Sequence, residues 1–312
     1  MFIKFFSQIT KKDVAEAGGK GASLGEMTGA NIPVPPGCVI LASAFNRFLE
    51  ETDLTQEVQA MVNRVNYKDI NSVDRASAEI RDLILDAPMP KDLQKDIIAD
   101  FKKLKTKFVA VRSSATAEDS STASWAGELE TYLNTTEKSL LLNVKKCWSS
   151  LFTPRAIFYR HEKKLLKTNV SVAVVIQEMV DSEISGIAFT VHPVTQDRNQ
   201  MIIEAGYGLG EAIVSGSITP DSYVLDKRDN SLIDVNIANQ EKQIKKGPSG
   251  GTKWVPVVKT AREKQKLNGR QIVELASICS RIEKHYKFPC DIEWAYKQGK
   301  FYITQSRPIT TL

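Results

Sequence analysis

The apolar pattern changes character part-way along the chain, and that change limits the folds open to it. In the first half, apolar residues recur at helical spacing. Phe45, Phe48 and Leu49 share one face after a candidate cap at Ser43, and Val73, Ala76, Ile80, Leu83 and Ile84 share another until Pro88 stops the run. Pro90 suits the first position of a helix carrying Leu93, Ile97, Phe101 and Leu104. The spacing also predicts a strand at 108–111, a loop of small residues from Ser113 to Gly127, and helices over 137–151 and, after Thr153-Pro154, over 154–166. From Val172 onward the signal is β-branched runs at 172–176, 187–191, 201–203 and 222–225, separated by Gly, Pro and Asp turns. A last helix over 260–286 then leads into paired strands at 290–296 and 301–307. An α+β chain follows, dividing near Val180-Asp181-Ser182 into residues 1–181 and 182–312.

Composition narrows the function classes. With 42% hydrophobic and 25% charged residues the chain is globular, and no apolar run approaches the roughly 18 residues that cross a membrane. The opening Met1-Phe2-Ile3-Lys4-Phe5-Phe6 is too soon interrupted for a secretory signal, so a soluble, cytoplasmic protein is expected. The net charge of +5 is modest, and much of the excess lies between Lys242 and Lys266. That stretch contains Gly247-Pro248-Ser249-Gly250-Gly251 and few aromatics, which reads as a solvated loop and gives no nucleic-acid signature. Four scattered cysteines (Cys38, Cys147, Cys279, Cys290) and three scattered histidines (His161, His192, His285) match no zinc or disulfide pattern, so reduced, buried thiols are expected.

Several segments carry chemistry. Gly18-Gly19-Lys20-Gly21 opens a helix with a lysine among glycines, where backbone amides and an ammonium can meet phosphate, although a capped turn with an exposed lysine explains it equally well. Arg112 ends a strand before the hydroxyl-rich Ser113–Gly127 loop, suited to covering a polyphosphate. Val174–Val180 turns polar where the domains divide, a place for backbone groups to read an adenine edge. Glu204-Ala205-Gly206-Tyr207-Gly208-Leu209-Gly210-Glu211 misses dinucleotide spacing and reads as close packing or nucleotide contact; Thr219-Pro220-Asp221 reads as a turn without chemistry.

Asp291-Ile292-Glu293-Trp294 with Gln305-Ser306-Arg307-Pro308 offers oxygen ligands for a hard cation and a guanidinium for phosphate. A two-residue turn at Gln298-Gly299 alone would set Glu293 opposite Thr304 and put Gln305 on the other face. For Glu293 and Gln305 to share a metal, the connection must hold an odd number of residues or a bulge must intervene.

Taken in order, GGKGASLGEM, VRSSATAEDSSTASWAG, IQEMV, SGIAFT, GLGEAIVSG, DIEW and QSRP resemble the nucleotide-binding domain of the phosphoenolpyruvate synthase (pyruvate, water dikinase) family, shared with pyruvate phosphate dikinase and rifampicin phosphotransferase. The resemblance covers essentially the whole chain and implies a bilobal ATP-grasp-like fold binding ATP and Mg2+. It assigns Lys20 and Arg112 to the ATP phosphates, Glu293 and Gln305 to magnesium, and Arg307 to the place beside them. It puts Gly127 and Thr131 in the phosphate-covering loop and the strand after it, and the Glu178, Met179 and Val180 backbone at the adenine-reading hinge.

In that family the β-phosphoryl group of ATP passes to a histidine on a separate swivelling domain, releasing AMP and phosphate, and an acceptor-binding domain hands it to pyruvate. None of His161, His192 and His285 has the Gly- and Thr-flanked setting of that phosphoacceptor. The expectation is an ATP half-reaction that needs both partner domains, in the same protein or as separate chains. A rifampicin phosphotransferase-like donor and a non-catalytic ATP-binding module are the alternatives; the presence of Lys20, Arg112, Glu293, Gln305 and Arg307 together argues against the last.

Overall fold

The computed structural model describes residues 1–116, 130–165 and 170–309. It divides into two units of mixed helix and sheet: residues 1–26 with 36–179, and residues 27–35 with 180–312. The segment 27–35, which the sequence reading placed with the first half, is held in the second. There Pro33 O accepts from Ile303 N at 2.8 Å and Asn31 O accepts from Arg281 Nη2 at 3.2 Å. No helix among the described residues is long and apolar enough to cross a membrane.

In the first unit, β1 (Ile3–Phe5), β2 (Gly37–Ile40), β3 (Val109–Ala115), β4 (Thr131–Thr135) and β5 (Val172–Glu178) form an antiparallel sheet in the order β1-β2-β5-β3-β4. Side chains alternate between faces along each strand. One face (Ile3, Cys38, Ile40, Val109, Val111, Val172, Val174, Ile176) joins a single core with the helices α2 (Ala42–Glu51), α3 (Leu54–Asn63), α4 (Ile70–Asp86), α5 (Lys91–Lys103), α6 (Glu137–Ser149) and α7 (Pro154–Glu162). Trp148 fills its middle, with its ring 5.6 Å from Phe45 and 5.0 Å from Phe48. Each such side chain contributes about 2–3 kcal/mol by leaving water. The other face carries Arg112, Ser114 and Gln177, and the helix α1 (Val14–Gly29) meets it.

Several local expectations shift. Ser43 lies inside α2, which starts at Ala42 after Leu41 without a side-chain cap. Ser113 and Ser114 belong to β3 and are buried, because their hydroxyls find protein partners: Ser113 Oγ donates to Glu130 O at 2.9 Å. Ala115 also belongs to β3 and Thr116 N donates to Ser171 O at 3.0 Å, while residues 117–127 of the expected loop, including Gly127, lie outside the described residues. The helix expected over 154–166 ends at Glu162.

The second unit has a six-stranded sheet among the described residues. It is built from β6 (Ile184–Phe189), β7 (Gln200–Tyr207), β8 (Asp221–Asp226), β9 (Leu232–Asn236), β12 (Cys290–Lys297) and β13 (Lys300–Pro308), in the order β13-β12-β6-β7-β8-β9. Between them fall the short helix α8 (Glu211–Val214), the hairpin β10 (Lys242–Lys246) with β11 (Thr252–Pro256), and the helix α9 (Gly269–Tyr286). The stretch from Lys242 to Lys266 is therefore not a loop throughout: residues 242–246 pair with 252–256 as a largely exposed hairpin, and the Lys266 side chain is fully buried against Asp221. The last helix starts at Gly269, well after residue 260, because Asn268 and Gln271 cap it reciprocally, at 3.0 and 2.9 Å. All four cysteines are buried and unbridged.

Candidate functional site

The first unit places Arg112 on the sheet face that the core does not use, and α1 meets that face at Ser114. Gly18 breaks α1 with φ 69°, and a Cβ there would lie 2.2 Å from Ser114 Oγ and 2.3 Å from Ser114 O. A glycine is thus required on two counts, conformation and space. The Ser114 hydroxyl donates to Ala17 O at 2.9 Å and accepts from Gly21 N at 3.2 Å. This clamps the turn that presents Lys20, itself half-buried, to the strand that carries Arg112 two residues earlier.

Arg112 is buried at 7% exposure, opposite Thr131 on one side and Val175 on the other, and its Nη1 donates to Gln177 Oε1 at 3.3 Å. Gln177 was missed by the sequence reading, although alternation along β5 puts it on the same face as Val175, Arg112's neighbour in the sheet. The hinge is more specific than the sequence allowed. Glu178 N donates to Pro36 O at 2.8 Å and Met179 N to Phe108 O at 3.1 Å, so both amides are already used in the first unit. Val180 O accepts from Ser182 N at 2.9 Å, and among the described residues the Val180 N–H makes no hydrogen bond.

In the second unit the terminal hairpin turns through Gln298 (φ 49°) and Gly299 (φ 79°), the left-handed pair of a two-residue type I′ connection. Lys297 pairs with Lys300 and Trp294 with Ile303, after which the register slips by one and Glu293 faces Gln305. Thr304 is the bulged residue. The geometric condition for a shared ligand is met by a bulge, despite the tight turn. Asp291 faces Arg307 two pairs further on, on the same face, and Arg307 Nε donates to Asp291 Oδ2 at 2.8 Å. Asp291 Oδ1 is buried with no hydrogen-bond partner.

The row continues inward. Glu293 faces Ile187 on β6, and Ile187 faces Glu204 on β7. Burial raises the Glu204 carboxyl above its ordinary range, and the Asp291 charge adds to it. Burial likewise raises Asp291, opposed by the Arg307 guanidinium. One sheet face therefore brings together Asp291, Glu293, Glu204, Gln305 and Arg307. Asp291 and Glu204 were not singled out from sequence; the Asp-x-Glu and Gln-x-Arg spacings were the available signal, since i and i+2 share a face. Within the glycine-rich run at Gly206–Gly210, close packing requires glycine at Gly208 (φ 89°), where a Cβ would lie 2.4 Å from Ile244 O, whereas at Gly210 the nearest atom would be 3.7 Å away.

The first unit thus presents a buried guanidinium on one sheet face, and the second presents carboxylate and amide oxygens beside Arg307 on one of its own. Among the described residues no three His, Cys, Asp or Glu side chains form a self-sufficient metal cage. The sequence signature of the family described as pyruvate phosphate dikinase, AMP/ATP-binding domain, matches residues 14–312. The chain is 46% identical to a probable phosphoenolpyruvate synthase of Methanocaldococcus jannaschii, across all of this chain and 27% of that protein. It is 43% identical to one of Methanothermobacter thermautotrophicus, across all of this chain and 46% of that protein. Similarity extends to the rifampicin phosphotransferase of Bacillus subtilis, at 37% identity over 98% of this chain and 35% of that protein. The chain spans between about a quarter and a half of the length of these relatives. With a signature match over nearly its whole length and these relatives, the chain belongs to the family of pyruvate phosphate dikinase AMP/ATP-binding domains.

Proposed function

We propose that this chain is the ATP-binding, phosphoryl-donating part of a phosphoenolpyruvate synthase-type dikinase, with an ATP-grasp-like fold whose two lobes divide near residue 181, residues 27–35 counting with the second. The observation that carries this reading is the facing of Glu293 and Gln305 across the bulged hairpin, a pair of oxygen donors at the register a shared cation needs. Lys20 and Arg112 hold phosphate oxygens, Arg112 with its guanidinium fixed by Gln177, and Arg307 acts beside the metal ligands. Gly127 and Thr131 serve the phosphate-covering segment. At the hinge, Glu178 and Val180 flank Met179 and meet adenine through the Val180 N–H and backbone carbonyl oxygen.

Magnesium fits the donor set. A small hard cation takes one or two protein carboxylates and completes its shell with substrate phosphates and water, which suits Glu293, Gln305 and the unbonded Asp291 Oδ1 better than a closed cage. When bound, it neutralises charge on the phosphate oxygens. The protein's own groups align the polyphosphate and offset the charge that develops on transfer, which is most of what phosphoryl transfer requires.

The β-phosphoryl group then goes to a histidine on a swivelling domain, and from there to pyruvate on an acceptor-binding domain, with AMP and phosphate released. The greater length of the relatives supports both partner domains. A cytoplasmic location is in keeping with four unbridged thiols. The test is titration calorimetry of ATP with and without Mg2+, followed by AMP formation with and without an added phosphohistidine domain, using pyruvate and rifampicin as rival acceptors. Magnesium-dependent binding and AMP release only with the histidine domain are expected. Magnesium-independent binding, or no AMP with that domain present, would overturn the reading.

A further inference from the structure

A second candidate site lies in the helical layer of the first unit. Arg160, in the last turn of α7, is buried at 7% exposure. Among the described residues it forms no ion pair, and its Nε is buried without a hydrogen-bond partner. Buried guanidinium groups are normally matched by a carboxylate or by carbonyl oxygens, since removing an unpaired cation from water is costly. The hydroxyl of Tyr67, in the connection between α3 and α4, is a second buried group with no hydrogen-bond partner. The ring of Tyr67 stacks on His161, the residue that follows Arg160 in α7, at 3.7 Å and 15°, which brings the connection between α3 and α4 to the turn that carries Arg160. Two neighbouring buried donors thus lack an acceptor, and both sit on elements that the nucleotide chemistry does not use.

We propose that Arg160 and Tyr67 form a binding site for a small oxyanion, a phosphate or carboxylate group, separate from the Lys20–Arg112 face. A guanidinium presents parallel N–H donors that match two oxygens of such a group, and a phenol adds a third donor. The guanidinium has no acceptor to offer the phenol, and the phenol oxygen, although an acceptor, makes no hydrogen bond, so an anion between them would satisfy both donors.

The test is nuclear magnetic resonance of the whole chain, following the Arg160 Nε–Hε signal, assigned by its loss in Arg160→Lys. Inorganic phosphate and acetate are titrated separately at fixed ionic strength, without magnesium or nucleotide. A saturable shift is expected with at least one of them, and which one saturates identifies the phosphate or carboxylate source. Tyr67→Phe, which keeps the stack on His161, is expected to weaken that affinity about tenfold. Arg112→Ala is expected to leave the Arg160 titration unchanged whether or not the ATP reading holds. A non-saturating drift with both anions, or a midpoint that Tyr67→Phe does not move, would overturn the proposal.

Discussion

Glu293 lies directly opposite Gln305 although the turn between their strands holds only Gln298 and Gly299. An unbulged ladder from that turn would pair Glu293 with Thr304 and send Gln305 to the apolar face beside Trp294. One extra residue, Thr304, reverses the parity, so that the carboxylate and the amide share a face with Asp291 and Arg307.

The bulge makes an unusual prediction. Deleting Thr304 joins Ile303 to Gln305 and leaves Gln305 opposite Glu293 in a regular ladder, so magnesium-dependent ATP affinity should stay within about tenfold of the native value. Glu293→Ala keeps the ladder and removes the ligand, and should cost about a hundredfold or more. Calorimetry on both variants checks this; a larger loss from the deletion than from Glu293→Ala would mean that the facing pair is not what binds the cation.

Glu204 predicts a pH dependence. Its folded-state carboxyl is raised above the ordinary value of 4.5, first by burial and then by the Asp291 charge. A raised acid favours its protonated form in the fold, so its stability contribution is present in acid and is lost as pH rises through the folded value. Glu204→Gln should therefore gain stability over the native protein progressively above about pH 4.5 and show little difference below it. Urea denaturation across that range decides the sign.

Much of this arrangement was legible in advance, and the parts that were not have identifiable causes. β-branched runs marked β5, β6, β7 and β8 but not β1, β2 or β9, and Thr153-Pro154 marked the start of α7 through a cap that the structure forms at 3.1 Å. What could not be read was whatever depends on partners distant in sequence. Lys266 looks like one more solvated lysine until Asp221 meets it from 45 residues away. The hinge amides look available until Pro36 and Phe108 take two of them. The bulge at Thr304 has no local signature, because the competing registers differ only in which side chains the rest of the sheet accepts on each face.

Arg112 predicts a graded loss. Arg112→Ala removes the cation and should lower ATP affinity and phosphoryl transfer by about a hundredfold while leaving the fold intact. Gln177→Leu keeps the cation but removes the acceptor of its Nη1 at 3.3 Å, and should cost about three- to tenfold. Affinity and AMP-formation rates measured side by side check the order; equal effects would place Gln177 in direct contact with substrate.

Gly18 predicts a conformational cost. Alanine there must hold φ near 69° and place its Cβ 2.2 Å from Ser114 Oγ, so Gly18→Ala should destabilise the first unit by about 3 kcal/mol and displace Lys20. Ser114→Ala loses the hydroxyl's bonds to Ala17 O and from Gly21 N and should cost about 1–2 kcal/mol. Denaturant midpoints of the two variants should therefore differ clearly, and a Gly18→Ala protein as stable as Ser114→Ala would refute the steric argument.

The pair of Lys266 and Asp221 tests how the second unit spends its burial. Both side chains are fully buried, with Lys266 Nζ 2.8 Å from Asp221 Oδ1 and also donating to Ala238 O at 2.6 Å. Asp221 is satisfied at both oxygens, accepting from Ala238 N at 2.9 Å, Tyr223 OH at 2.8 Å and Lys266 N at 2.8 Å. Lys266→Met leaves a buried carboxylate without its cation and should cost about 3–5 kcal/mol. Lys266→Met combined with Asp221→Asn removes the charge as well as its partner and keeps an acceptor oxygen for one of the two backbone amides, so it should recover part of that loss. A double-mutant cycle by denaturation measures the coupling. Additive losses would mean that the geometry of the strand start, and not the charge pair, holds this part of the sheet.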